Sequence, residues 1–174
     1  MSDKITKLPL KYIKGHIFVQ IDDGLWLIDT GSPNSFGTAG SLAIGDKKFT
    51  LDKKYCNFNS LTAGILSQFI GIPCLGLIGM DILRCFDIIF DIADGTIVLS
   101  ASKIKYDGKG VPVEHFMSIP LFTVQINGID YRMIFDTGAQ ISFFQHESRV
   151  NFPVAGEFTE KLCFNISGKS DTLA

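Results

Sequence analysis

The sequence offers little to a metal ion, a polyanion or a membrane. Its four cysteines (Cys56, Cys74, Cys85, Cys163) form no CxxC pair, and its three histidines (His16, His115, His146) are scattered without ligand spacing, so no zinc motif is present. With 16 Lys and Arg against 18 Asp and Glu the net charge is −2, which gives no reason to expect nucleic acid or an anionic membrane surface as partner. No charged-then-apolar segment opens the chain. Met1-Ser2-Asp3-Lys4 reads as a cytosolic start, so the expectation is a cytoplasmic protein with reduced thiols. Long apolar runs are scarce too. Leu61 to Met80 carries no charge and reaches membrane-spanning length, but four glycines, Pro73 and Gln68 interrupt it, and Asp81 and Arg84 follow directly. It reads better as a short buried helix near Leu61–Phe69, a break at Gly71–Pro73 and a buried strand at Leu75–Ile78.

What the chain does contain is a globular composition, 46% hydrophobic and 20% charged over 174 residues, and an internal repeat. Asp-Thr-Gly occurs at Asp29-Thr30-Gly31 and again at Asp136-Thr137-Gly138. Average residue usage puts two chance triplets in such a chain on the order of one in a thousand. The flanks repeat as well. Val19-Gln20-Ile21, a turn and Leu25-Trp26-Leu27-Ile28 lead into the first triplet; Val124-Gln125-Ile126, a turn and Tyr131-Arg132-Met133-Ile134-Phe135 lead into the second. Ser then Phe follow at matching distances, Ser35-Phe36 and Ser142-Phe143. One carboxylate per copy is what a two-carboxylate site on a pseudo-twofold axis needs.

Strand signals dominate the rest. Gly15–Ile21 and Leu25–Ile28 flank Asp22-Asp23-Gly24; Leu42–Ile44 and Phe49–Leu51 flank Gly45-Asp46; Ile88–Ile92 and Thr96–Ser100 flank Asp94-Gly95; Pro120–Ile126 and Ile129–Phe135 flank Asn127-Gly128. A second short helix is expected from Met80-Asp81, with Asp81 as a helix-start residue. Ala101–Glu114, rich in charge and glycine, reads as a linker. The expectation is a mostly β chain of two lobes, 1–104 and 115–174, joined by residues 105–114.

These motifs resemble those of the retropepsin-like aspartic peptidases, the superfamily that includes pepsin. The elements are Leu27-Ile28-Asp29-Thr30-Gly31-Ser32, Ile134-Phe135-Asp136-Thr137-Gly138-Ala139 and, similar to the family's second signature, Leu77-Ile78-Gly79-Met80-Asp81-Ile82-Leu83. The resemblance implies pepsin-like β-barrel lobes related by a pseudo-twofold axis, an aspartic endopeptidase activity on a peptide or protein substrate, and no metal or cofactor. Asp29 and Asp136 are then the catalytic pair. Two carboxylates that close cannot both ionise, so they share one proton: the charged member activates water and the neutral one polarises the scissile carbonyl. Gly31 and Gly138 let another backbone approach each Asp, and the Thr30 and Thr137 hydroxyls are implied to hydrogen-bond across the lobe junction. The family places a substrate-covering flap after the first Asp, which makes Gly45, Asp46 and Phe49 flap candidates. Ser32 offers a hydroxyl to Asp29 where Ala139 offers Asp136 nothing, so Asp29 is expected to be the charged member and Asp136 the proton carrier.

The second copy reads as a front half only. Asp81 lies 52 residues after Asp29, and the same offset from Asp136 falls beyond Ala174; no second copy of the Leu77-Ile78-Gly79-Met80-Asp81-Ile82-Leu83 signature follows Asp136. Self-association is one way to complete that lobe. Three other readings stay open at this level: an inactive peptide- or partner-binding module that keeps the cleft, an enzyme built by pairing first lobes between chains, and a small structural β domain with accidental triplets.

Overall fold

Turn chemistry and two-residue alternation translate directly into hairpins. The computed structural model describes residues 5–55 and 61–142, and within them the chain is mostly β. Strand β1 (Ile5–Ile13) turns through Lys14-Gly15 into β2 (His16–Ile21), which turns again into β3 (Gly24–Ile28). Both Lys14 (φ 51°) and Gly15 (φ 81°) adopt left-handed conformations, the geometry whose twist suits a two-residue hairpin. Asn127 (φ 52°) and Gly128 (φ 79°) do the same between β11 (Ile119–Ile126) and β12 (Ile129–Ile134). The four hairpins anticipated from sequence all form, with ends displaced by one or two residues.

Strand β1 was not anticipated. Lys7, Pro9 and Lys11 spoil its apolar pattern, and tertiary context explains why they are tolerated. Residues Ile5–Pro9 pair with β9 (Thr96–Ser100) and residues Leu10–Ile13 pair with β2. Pro9 sits where the strand changes partner, a place that asks least of its missing N–H.

The main sheet has seven strands in the order β4-β7-β3-β2-β1-β9-β8, with β4 at Phe36–Gly37, β7 at Gly76–Ile78 and β8 at Asp87–Asp91. Strand β7 lies parallel to β3, pairing Leu27 with Leu77 and Ile28 with Ile78. That register puts the Leu77-Ile78-Gly79 run beside the end of β3, and helix α2 (Met80–Leu83) starts there. Helix α1 (Ala63–Ile70) occupies the anticipated helical region. The Thr62 side chain accepts from Ile65 N at its start, and Gly71 (φ 70°) ends it in the left-handed conformation helices use to stop. Among the described residues no helix is long and apolar enough to cross a membrane.

Alternation along β2 and β3 feeds two cores. Ile17, Val19, Ile21, Trp26 and Ile28 pack on one side with Leu42, Ile44, Met80 and Leu83. Phe18 and Leu27 pack on the other with Phe36, Leu66, Ile70 and Leu77. At about 1.5–3 kcal/mol for each large side chain fully buried, these faces supply most of the favourable energy of the first copy. The third sheet is smaller: β10 (Glu114–Phe116), β11 and β12. It meets the main sheet where the Phe135 ring tilts against Phe90, 6.4 Å between centroids. Tyr131 is its one buried large hydrophobic residue among those described.

Candidate active site

Each Asp-Thr-Gly begins where a strand runs out. The first loop leaves β3, and Asp29 N still donates to Ile78 O of β7 at 3.0 Å. The second leaves β12, where Phe135 N donates to Pro120 O at 2.8 Å. In both loops the glycine N–H turns back onto its own aspartate: Gly31 N donates to Asp29 Oδ1 and Gly138 N to Asp136 Oδ1, each at 2.9 Å.

The loops then lock together through their threonines. Thr30 N donates to Thr137 Oγ1 at 3.1 Å, and Thr137 N donates to Thr30 Oγ1 at 3.0 Å. Each hydroxyl also donates back across the junction, Thr30 Oγ1 to Phe135 O at 2.6 Å and Thr137 Oγ1 to Ile28 O at 2.9 Å. Both threonines are buried, so each of these bonds replaces a lost contact with water. The pattern is nearly twofold symmetric, although the two copies are unequal in their surroundings.

The lock brings the carboxyl groups into contact. Each glycine backbone lies against the opposite carboxyl group, and the two carboxyls are close enough for charge and hydrogen bonding to couple them. A Cβ on Gly31 would overlap the Asp136 carboxyl group, and one on Gly138 would lie 2.5 Å from Asp29 Cγ. Glycine is required at both positions because each backbone passes against the opposite carboxylate. Burial pushes the Asp29 carboxyl up to about 8, the negative charge of Asp136 adds to this, and their mutual hydrogen bond adds further; the Gly31 and Ser32 N–H groups oppose it. Asp29 is only partly exposed, whereas Asp136 is exposed. Desolvation penalises charge on the more enclosed member, which favours placing a shared proton on Asp29.

The expectation based on Ser32 loses its support. The Ser32 hydroxyl donates to Asn34 O at 2.8 Å instead of to Asp29. A neighbouring carbonyl two residues on competes successfully for the serine, a common local arrangement. With that bond gone the expected order has no structural support, and the burial of Asp29 favours the opposite one. The flap expectation is also corrected. The hairpin of β5 (Ser41–Ile44) and β6 (Lys47–Thr50) buries Leu42 and Ile44 in the main core, and its Gly45 tip packs against Thr6 near the start of β1. Phe49 stacks edge-on against Phe86, and Lys47 Nζ donates to Cys85 O at 3.0 Å. Phe49 therefore packs on the first-copy core and the Gly45 tip lies on Thr6, while Gly45 and Asp46 are exposed.

Further supporting contacts had no role assigned from sequence. Ser35 is buried; its hydroxyl donates to Asp81 Oδ1 at 2.5 Å and accepts from Gly79 N at 2.8 Å. Met80 N donates to Ser32 O at 2.8 Å, so the residues after the first triplet are sewn to the start of α2. His16, buried at the head of β2, makes a 2.9 Å contact from Nδ1 to Gly138 O. Gln140 Nε2 donates to Lys14 O at 2.5 Å. A polar residue in the inward-facing stretch of an apolar strand was the available signal for His16. The repeat position Ser35 was the signal for the first-loop contact. Its counterpart Ser142 is exposed, and Phe143 lies outside the described residues. Among the described residues, β12 pairs only with β11, and no strand takes the place beside Asp136 that β7 takes beside Asp29.

Comparison of the chain with protein-family models, with curated proteins and with solved structures finds no match. What the site offers chemically is two carboxyl groups facing each other inside a reciprocal threonine lock.

Proposed function

We propose that this chain is an aspartic endopeptidase of the retropepsin-like, pepsin-like kind, with residues 1–104 and 115–174 as its two lobes and Asp29 and Asp136 as its catalytic dyad. The observation that carries the proposal is the contact between the aspartates of two identical tripeptides inside the reciprocal threonine lock. The substrate is a peptide or protein.

The chemistry follows from the proton's position. Asp136, the charged member, takes a proton from a water molecule as that water's oxygen attacks the peptide carbonyl carbon. Asp29 gives its proton to the carbonyl oxygen, which would otherwise develop an uncompensated negative charge. The resulting tetrahedral diol collapses as Asp136 returns its proton to the amide nitrogen and Asp29 recovers one from a diol hydroxyl. The C–N bond breaks, and the dyad ends in its starting state.

A second reading, a binding module that keeps the cleft without turnover, is favoured by one feature: Asp136 is exposed and, among the described residues, has no strand beside it like β7. Peptide-library cleavage across a pH series separates the two. The enzyme reading expects hydrolysis that is abolished in both Asp29→Asn and Asp136→Asn, with an alkaline limb near pH 8 as Asp29 loses its proton. Peptide binding without cleavage in the wild-type chain would support the module. Cleavage that survives both substitutions would place the activity elsewhere.

A further inference from the structure

We propose that His16 is a positioning residue for the dyad: its Nδ1–H, donated to Gly138 O, holds the second loop where Asp136 can share a proton with Asp29. The inference rests on the dyad reading of the site. A carbonyl oxygen can only accept, so at 2.9 Å the Nδ1 atom must carry the hydrogen. The imidazole is 1% exposed and is braced edge-on by the Phe18 ring, 6.4 Å between centroids, so its direction is set by the packed face of β2.

Gly138 is the backbone that passes against the Asp29 carboxyl group, close enough that a Cβ there would clash. A shift of this peptide therefore changes the gap between the two carboxyls directly. The same turn makes a second tie. Lys14 O accepts from Gln140 Nε2, and the Gln140 side chain lies 3.2 Å from where a Gly15 Cβ would be. Lys14 is itself anchored, its Nζ donating to Gly71 O at 3.0 Å just beyond the end of α1. A chain of contacts thus runs from a first-copy helix, through the β1–β2 turn, to the second loop.

The device is one-sided. In the second copy, the turn corresponding to Lys14-Gly15 is Met117-Ser118, also left-handed at both residues (φ 51° and 71°) and also leading into the strand before the Asp-bearing one. The residue standing in the place of His16 is Ile119, whose side chain cannot donate. The first loop has β7 and α2 behind it instead. The second loop receives from His16 what the first receives from its own sheet.

Carboxyl-carbon NMR titration of the full chain reads the outcome without requiring turnover. In wild type, Asp29 should titrate well above the ordinary carboxylate range. In His16→Leu, which keeps bulk and removes the donor, its midpoint should fall by about one pH unit or more as the carboxyls separate. His16→Asn should restore most of the shift, because its amide nitrogen sits where Nδ1 does. Gln140→Ala should move the midpoint in the same direction by less. Imidazole nitrogen shifts in wild type give an independent reading: protonation at Nδ1 is required, and a bare Nδ1 would overturn the proposal even if His16→Leu fails to fold. An unchanged Asp29 midpoint in a folded His16→Leu, or equal shifts in the Leu and Asn variants, would overturn it while leaving the dyad intact. An ordinary Asp29 midpoint in wild type would sink the dyad reading itself, and this proposal with it.

Discussion

The two Asp-Thr-Gly loops make the same bonds at their tips and stand on different foundations. The first rises from the seven-stranded sheet with β7 alongside, cores on both faces, and Ser35 joined to Asp81 and Gly79 behind it. The second rises from a three-stranded sheet whose apolar residues are mostly half-buried, with Ile129 at 43% and Ile134 at 50% exposed. Tip geometry belongs to the tripeptide, which supplies its own turn, its own hydroxyl and room for the opposite carboxylate. Proton placement belongs to the foundation, because it depends on how far each carboxyl is withdrawn from water. Identical motifs can thus hold unequal roles with no difference in the motif.

The comparison breaks most severely at the glycines. If the tips are equivalent, Gly31→Ala and Gly138→Ala should be equally damaging, since each Cβ would run into the opposite carboxyl group. Both variants should lose the proposed peptidase activity by roughly 10³-fold or more, because misplacing catalytic groups by an ångström costs at least 10²-fold and here the dyad is forced apart. Turnover assays on the two variants test this. Near-normal activity in one of them would mean that the two loops do not face each other as described.

The unequal foundations predict an unequal pH response. Asp29 has a folded pKa near 8, above its ordinary value. Between about pH 4 and pH 8 the folded chain keeps a proton that the unfolded chain has lost, so stability falls as pH rises, by up to about 1.4 kcal/mol per pH unit for one full proton. Above pH 8 both states are ionised and the fall levels off. Asp29→Asn removes this burden. It should be more stable than wild type at pH 7, with the advantage shrinking toward pH 4, in denaturant titrations at each pH. An advantage that grows on acidification would mean that Asp29 is a charged, stabilised carboxylate.

The threonines sharpen the symmetric half of the comparison. Thr30→Val and Thr137→Val each remove two bonds and leave the opposite loop's N–H and C=O without their partner. A buried group left unsatisfied costs about 1–3 kcal/mol, so each variant should lose a few kcal/mol, and by similar amounts. The double variant should cost less than the sum, because both substitutions break one network.

How much of this was legible in sequence follows the range of each interaction. The triplets, the Asn127-Gly128 turn and the Thr62 start of α1 are local, and local rules identify them. The strand at Leu75–Ile78 was legible as the short apolar run that follows the Gly71–Pro73 break. Strand β1 was not, since Lys7, Pro9 and Lys11 make sense only once its two halves have different neighbours. The packing of Gly45 on Thr6 and of His16 on Gly138 joins segments far apart in the chain, and no periodicity reports such pairs. The Ser32 bond to Asp29 was misjudged because a nearby hydroxyl is visible in sequence and its competing partner is not: Ser32 bonds Asn34 O, and the enclosure of Asp29, which sequence does not report, raises its pKa.

The smallest expected effect isolates the foundations with the tips untouched. Ser35 and Ser142 occupy the same place in the repeat, six residues after their aspartates. Ser35 is buried, accepting from Gly79 N and donating to Asp81 Oδ1; Ser142 is exposed. Ser35→Ala strands the Gly79 N–H and removes a donor from a carboxylate, so it should cost about 1–3 kcal/mol. Ser142→Ala sits at the surface and should stay within about 0.5 kcal/mol of wild type. Chemical denaturation of the two variants measures both. The contrast also has a functional edge, since Ser35 stands behind the loop that holds Asp29, and loosening it should lower activity more than the stability loss alone would suggest. Equal costs at the two serines would mean that the second loop has a support as firm as the first, and the inequality on which the placement of the proton rests would lose its structural cause.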